Sequence, residues 1–180
     1  MWFLSGVRLD MSYWLRPLRF LAGAFSGASS PRQLALGFSM GMIIGLVPKE
    51  NLTSVLLLFL LASLKINLSS ASLATLLFSW LALLLDPLSH LIGHSVLLAA
   101  PMQGVWRWFY ELPLAPWTDF NNTIVMGSLI LGLLLFYPTY RLTRPLFEKY
   151  TPLLAAKLQK YRIVQILWGT EAGVVAGEVA

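Results

Sequence analysis

The stretch LALGFSMGMIIGLVPKEN, Leu34–Asn51, decides how the rest of this chain is read. Gly37, Gly41 and Gly45 recur every fourth residue inside an apolar run that ends at Val47, and Pro48-Lys49-Glu50-Asn51 cuts that run short. Glycines at i, i+4 and i+8 share one helix face and leave it bare of side chains, so a second backbone can approach closely. A helix from Leu34 to Val47 is about 21 Å long, against a hydrocarbon core of roughly 30 Å. The next run, Leu52 to Leu64, is no longer. Two short apolar arms joined by a charged, proline-containing break predict a hairpin that enters a bilayer and returns. Irregular backbone at that depth is tolerated only where protein or a water-filled cavity surrounds it. The hairpin therefore reads as lining a passage or a docking surface, with Gly37, Gly41, Gly45, Pro48, Lys49 and Glu50 as its packing and pathway residues. The alternative is two short helices packed purely for stability.

Hydrophobic residues make up 57% of the 180 and charged residues only 12%, the balance of an integral membrane protein. That length holds one domain with a handful of membrane segments. Cysteine is absent, so neither disulfides nor thiolate metal sites are available. The net charge of +5 is concentrated at the ends. Arg8, Arg16, Arg19 and Arg32 come before the apolar core, and Arg141, Arg144, Lys149, Lys157, Lys160 and Arg162 come after it. This positive-inside distribution predicts a multi-pass protein of a bacterial inner membrane with both termini cytoplasmic. No nucleic-acid-binding module accompanies the bases, so nucleic acid is excluded as a partner.

Three regions follow. Residues 1–30 read as an amphipathic cytoplasmic interfacial helix, with Trp14, Leu18, Leu21 and Phe25 on one face and a bend at Pro17, and not as a cleaved signal peptide. Residues 31–140 form the membrane domain. Residues 141–180 form a basic cytoplasmic amphipathic helix, through Leu142, Leu146, Leu153, Leu154 and Leu158, ending in a flexible tail after Trp168.

Within the membrane domain, Ser30 and Pro31 are the N-cap and first turn of a helix. Leu68 to Leu85 is long enough to cross. Asp86-Pro87 predicts an interruption, with Asp86 capping a new short helix to Ala100. Pro101 to Asn122 carries Trp106, Trp108, Tyr110 and Trp117, more aromatic area than an interfacial belt at one short loop requires. With Arg107, Asn121 and Asn122 these rings are the expected periplasmic contact with a partner protein. Thr123 to Tyr140 is the strongest transmembrane candidate, and Arg141 is expected to stop it. Cytoplasmic termini require an even number of crossings, two if the first hairpin is re-entrant and four if both arms span. The expected fold is all-α and integral to the membrane, with short broken re-entrant hairpins, full-length transmembrane helices and amphipathic terminal helices.

Asp86, His90 and His94 fall at i, i+4 and i+8, so a helix would set them on one face. That set can ligate zinc, iron or manganese. Helix capping by Asp86 and polar packing by the histidines explain the same residues without a metal, and no metal or other cofactor is expected. Lys49-Glu50 reads equally as a gate or headgroup contact and as a solvated pair at an interface. The chain has no G-x-S-x-G, no H-E-x-x-H, no phosphate-binding loop and no dinucleotide fingerprint, so an enzyme is not expected.

Pro31-Arg32-Gln33-Leu34-Ala35-Leu36-Gly37 with Gly41, Gly45 and Pro48 resembles a family of small bacterial membrane proteins that carry a domain of unknown function. Lys65-Ile66-Asn67-Leu68, Leu85-Asp86-Pro87-Leu88-Ser89-His90 with Gly93, and Phe120-Asn121-Asn122-Thr123 with Gly127-Ser128 narrow the resemblance to one subfamily of conserved hypothetical proteins. It covers about Leu21 to Tyr150. The resemblance implies an inner-membrane protein with no catalytic residues to transfer. Genes of this subfamily often neighbour one for a large periplasmic protein similar to the AsmA class of envelope proteins, which handle phospholipids. The expected function is therefore a non-enzymatic phospholipid-handling module, whose partners are the phospholipid membrane and that AsmA-like protein. A small-solute or ion transporter built on discontinuous helices is the alternative, and an anchor or scaffold is a third.

Overall fold

The computed structural model describes residues 29–158. The surface helix expected in residues 1–28 and the tail beyond 158 lie outside the described residues. Five α-helices follow one another: α1 (Pro31–Leu46), α2 (Leu52–Ser63), α3 (Leu68–Leu97), α4 (Gln103–Tyr110) and α5 (Thr123–Leu158). Tight 3-10 turns at Ala100–Met102 and Ala115–Thr118 flank α4. The described residues are all-helical.

Local chemistry sets the first boundaries. The Ser30 hydroxyl accepts the N–H of Gln33 at 3.3 Å, while the Gln33 side chain accepts the N–H of Ser30 at 3.1 Å. This reciprocal box satisfies N–H groups that a helix start leaves free. Pro48 disfavours helical backbone at the residue before it, and Val47 is extended at φ −77°, ψ 134°. Asn51 caps α2 by accepting the N–H of Ser54 at 2.9 Å, and Asn67 caps α3 by accepting that of Ser70 at 2.7 Å. The Asn67 N–H donates to the Gln33 carbonyl at 3.3 Å, so α1 and α3 start side by side.

They then run parallel. A Cβ added at Gly37 would strike the Asn67 carbonyl, one at Gly41 would strike that of Ala71, and one at Gly45 would lie 2.6 Å from the Phe78 Cβ. The glycine stripe is the seat of α3, and α2 is only the return limb that brings the chain back to start it. Hydroxyls of α3 bond across this seam, Ser70 to the Leu34 carbonyl at 2.8 Å and Thr75 to the Gly41 carbonyl at 3.1 Å. On its other side α1 meets α5 running antiparallel. Gly132 lies against Ile43, the Thr139 hydroxyl donates to the Met42 sulfur at 3.2 Å, and Phe38 meets Phe147 edge-on at 6.1 Å. Eleven of the sixteen α1 residues are buried, against three of the twelve in α2. The short first helix is the core, and the long helices enclose it.

One expected boundary is corrected. Asp86-Pro87 does not interrupt: α3 runs unbroken for 30 residues with Pro87 inside it, so Asp86 is no cap and no separate helix starts there. A proline inside a helix costs about 3 kcal/mol through the lost hydrogen bond and the ring clash. Packing on both sides of Pro87 opposes that cost, against α1 below and α5 above. Past Arg141, where the crossing is expected to end, the chain stays helical, and α5 runs through Pro138, Pro145 and Pro152. These prolines are seven residues apart, so they share one helix face, and all three are exposed. The lost hydrogen bonds fall on one side, where a long helix can bend without ending.

Large apolar side chains lie on the surface as well as in the core. Leu84 is 79% exposed, Trp80 75% and Phe59 72%, while Ser39, Ser54, Ser70, Ser89 and Ser128 are buried. Leu68–Leu97 and Thr123–Leu153 are long and apolar enough to cross a membrane, and Leu52–Ser63 is a shorter apolar helix.

Candidate functional site

α3 continues from Phe78, its last contact with the glycine stripe, to Leu97, roughly 28 Å of further helix. Ala82 and Leu85 still pack against the core around α1, and beyond them α3 meets α5 through a second small-residue contact. A Cβ on Gly93 would lie 3.0 Å from the Gly127 nitrogen, and one on Gly127 would lie 2.9 Å from the Gly93 nitrogen. These two glycines touch backbone to backbone. Sequence reading singled out neither as a packing face, although Ser89-x3-Gly93 and Thr123-x3-Gly127 are both small-xxx-small patterns. His90 belongs to the same junction, its Nδ1 lying 2.6 Å from the Thr123 hydroxyl. The His94 ring centroid is 5.8 Å from that of His90, yet Asp86, His90 and His94 do not assemble a ligand set. Among the described residues no three His, Cys, Asp or Glu side chains come together as a metal site.

Because α1 and α2 stop short, the segment between α3 and α5 folds back over their joined ends. The Thr53 hydroxyl, near the start of α2, donates to the Thr118 carbonyl at 2.7 Å. Asp119 then takes left-handed backbone, φ 55°, and accepts the Asn122 N–H at 2.9 Å. Asn122 in turn accepts the N–H of Ile124 at 2.9 Å, which caps α5.

Under this cover lies an open groove of about 500 Å³, whose polar lining is Lys49, Glu50, Asn51, Trp117 and Asp119. The Lys49 ammonium is fixed: it donates to the Gly45 carbonyl at 2.7 Å and the Val47 carbonyl at 3.0 Å. A cation at these free carbonyls complements the helix dipole, and desolvation by burial lowers its pKa below the ordinary lysine value. Pro48 and Lys49 thus end α1 in two ways, by backbone geometry and by charge. Across the Thr53–Thr118 bridge lies a second groove of about 400 Å³, apolar, lined by Leu52, Leu56, Phe109, Leu112 and Leu114. Leu52 lines both grooves.

Of the seven expected partner-contact residues, Asn122 caps α5 and the other six divide among three places. Trp106, Arg107, Tyr110 and Asn121 line a third groove of about 310 Å³ near the end of α3. Trp106 is half-buried, its indole N–H donating to the Val96 carbonyl at 3.4 Å. The Tyr110 oxygen accepts the Asn121 N–H; burial, and secondarily the Asp119 carboxylate, raise its phenol pKa, against the opposing effect of that hydrogen bond. Trp108 is 62% exposed on the outer face of α4, and Trp117, 70% exposed, belongs to the charged groove. Phe109 and Phe120, stacked at 5.4 Å, hold the covering segment together, and Thr53 and Thr118 tie it down. None of these four has a role at the site that the sequence alone shows, because neither the Thr53–Thr118 bridge, 65 residues apart, nor the Phe109–Phe120 stack has a local signature.

Sequence comparison supplies the context. The pattern of the family described as "Uncharacterized protein conserved in bacteria (DUF2062)" matches residues 18–153. A protein of Treponema pallidum (strain Nichols), described as an uncharacterized protein, is 26% identical over 144 residues, 80% of this chain and 89% of that one. No solved structure matches the chain.

Proposed function

We propose, for a chain that belongs to the DUF2062 family of bacterial proteins, a role as a non-enzymatic phospholipid-handling module of the inner membrane. It is multi-pass with both termini cytoplasmic, and it serves a large periplasmic AsmA-like partner. In this reading α3 and α5 span the bilayer, and α1 with α2 forms a re-entrant hairpin whose tip stops beneath the far interface. The apolar exterior supports the membrane setting, since lipid solvates exposed leucines and leaves helix contacts to glycine and serine. The observation that carries the lipid reading is the pair of grooves meeting at Leu52, one charged and one apolar. An amphiphile needs two such compartments side by side, whereas a small polar solute needs only the first.

Purified full-length protein in liposomes tests this reading. Flip-flop of a fluorescent phospholipid without release of a trapped small solute supports it. Solute release without flip-flop would favour the transporter, and inertness in both assays would reduce the protein to an anchor. For the partner, Arg107→Ala with Trp108→Ala removes exposed groups and spares the Trp106 hydrogen bond. Co-purification of the periplasmic protein should fall while membrane insertion persists. Unchanged co-purification would move the docking site off α4.

A further inference from the structure

The charged groove holds one lysine and two carboxylates, Lys49 against Glu50 and Asp119, a formal excess of negative charge. From this charge pattern we infer that the groove selects phospholipids with a zwitterionic headgroup carrying a primary ammonium, the phosphoethanolamine class, over anionic phosphoglycerol lipids. The inference rests on the lipid-handling reading above and names its substrate. Lys49 spends two of its three N–H donors on the Gly45 and Val47 carbonyls and keeps one for a phosphate oxygen. The Gly45 and Val47 carbonyls also hold the cation in place, so little side-chain entropy is lost when a phosphate binds.

A phosphoglycerol headgroup finds only that one complementary charge and faces the two carboxylates. A phosphoethanolamine headgroup satisfies both signs: its ammonium donates to Asp119 or Glu50 and lies within reach of the exposed Trp117 ring, which attracts cations. A phosphocholine headgroup keeps its charge attraction to the carboxylates and its contact with Trp117 but has no N–H to donate, so it ranks between the two. The volume of about 500 Å³ falls within the usual range for small-ligand sites. The apolar groove beyond Leu52 then takes the start of an acyl chain, past Leu56 and Leu114. Headgroup and chain pass on either side of the Thr53–Thr118 hydrogen bond.

The test is lipid retention by the purified full chain, read by native mass spectrometry after equilibration with equimolar palmitoyl-oleoyl phosphatidylethanolamine, phosphatidylcholine and phosphatidylglycerol. The parent should retain the lipids in that order. Asp119→Asn keeps the side-chain shape and a residue type that tolerates left-handed backbone, so the turn into α5 survives. It should cut the preference for ethanolamine over glycerol by roughly tenfold, the effect of losing one charged hydrogen bond. Lys49→Gln should weaken retention of all three lipids, since each presents a phosphate. Glycerophosphoethanolamine, which has no chains, should compete poorly, and effective competition would remove the apolar groove from the site. Phosphatidylglycerol retained as well as phosphatidylethanolamine would overturn the headgroup inference and leave lipid handling standing. Retention of none of the three would overturn both.

Discussion

Glycine does opposite work at different positions of this chain, and the surroundings decide which. At Gly127 any side chain meets the Ser89 carbonyl and the Gly93 backbone, whereas at Gly104 nothing lies within 4 Å. Gly127→Leu should therefore separate α3 from α5, because backbone cannot give way as the end of a side chain can. Overpacking of this kind costs about 1–3 kcal/mol or more, and thermal unfolding in detergent should show a clear drop in midpoint. Gly104→Ala should instead stabilise by roughly 0.5–1 kcal/mol, since an exposed helical glycine carries only an entropic penalty. If the two changes behave alike, the glycine-to-glycine contact does not hold the upper half of the bundle. The stripe of three glycines at spacing four in α1 was legible, whereas the small-xxx-small pairs in α3 and α5 stand out only once the two helices are seen to touch. The partner of the stripe was not legible, because spacing defines a face and leaves open what covers it.

At the scale of the element, proline separates local preference from tertiary outcome. Pro48 ends α1, where the chain must turn and the Lys49 ammonium takes over the free carbonyls. Pro87, with a similar apolar run before it, is carried inside α3. The difference lies in what flanks each residue. Pro48 is followed by two charged residues and an asparagine that caps the next helix, while Pro87 has packed helix on both sides. Pro87→Ala should accordingly preserve the helix and leave stability equal or higher, by up to about 3 kcal/mol where the freed N–H finds its carbonyl. Circular dichroism with thermal unfolding measures both. Loss of stability would mean that α3 needs a bend at Pro87 to reach Gly127. The same logic explains Arg141, which marks a change in surface polarity along α5 and carries no signal to end a helix.

For the whole molecule, the parallel pair α1 and α3 against antiparallel α5 puts both described chain ends on one side of the bundle. Asn67 bonds Gln33 there, and Phe147 meets Phe38. Reporter fusions before Ser30 and after Leu158 should therefore report the same compartment, the cytoplasm in the proposed reading. A fusion within the segment between Tyr110 and Ala115 should report the opposite side. Opposite signals from the two ends would break the two-crossing arrangement.

Composition, the glycine stripe, the cap at Ser30 and the break at Pro48 were enough to determine an all-helical chain with a short hairpin before longer apolar helices. Each of these depends on residues within a turn or two of one another, and so is written locally. Three things came only from the tertiary structure. α1 is the buried core, α3 and α5 run through their prolines, and the 98–122 segment folds down over the hairpin tip. All three depend on contacts between distant residues, such as Thr53 with Thr118 and Gly93 with Gly127. Packing free energy can exceed a local preference of a few kcal/mol there, and no single stretch of sequence contains both halves of the contact.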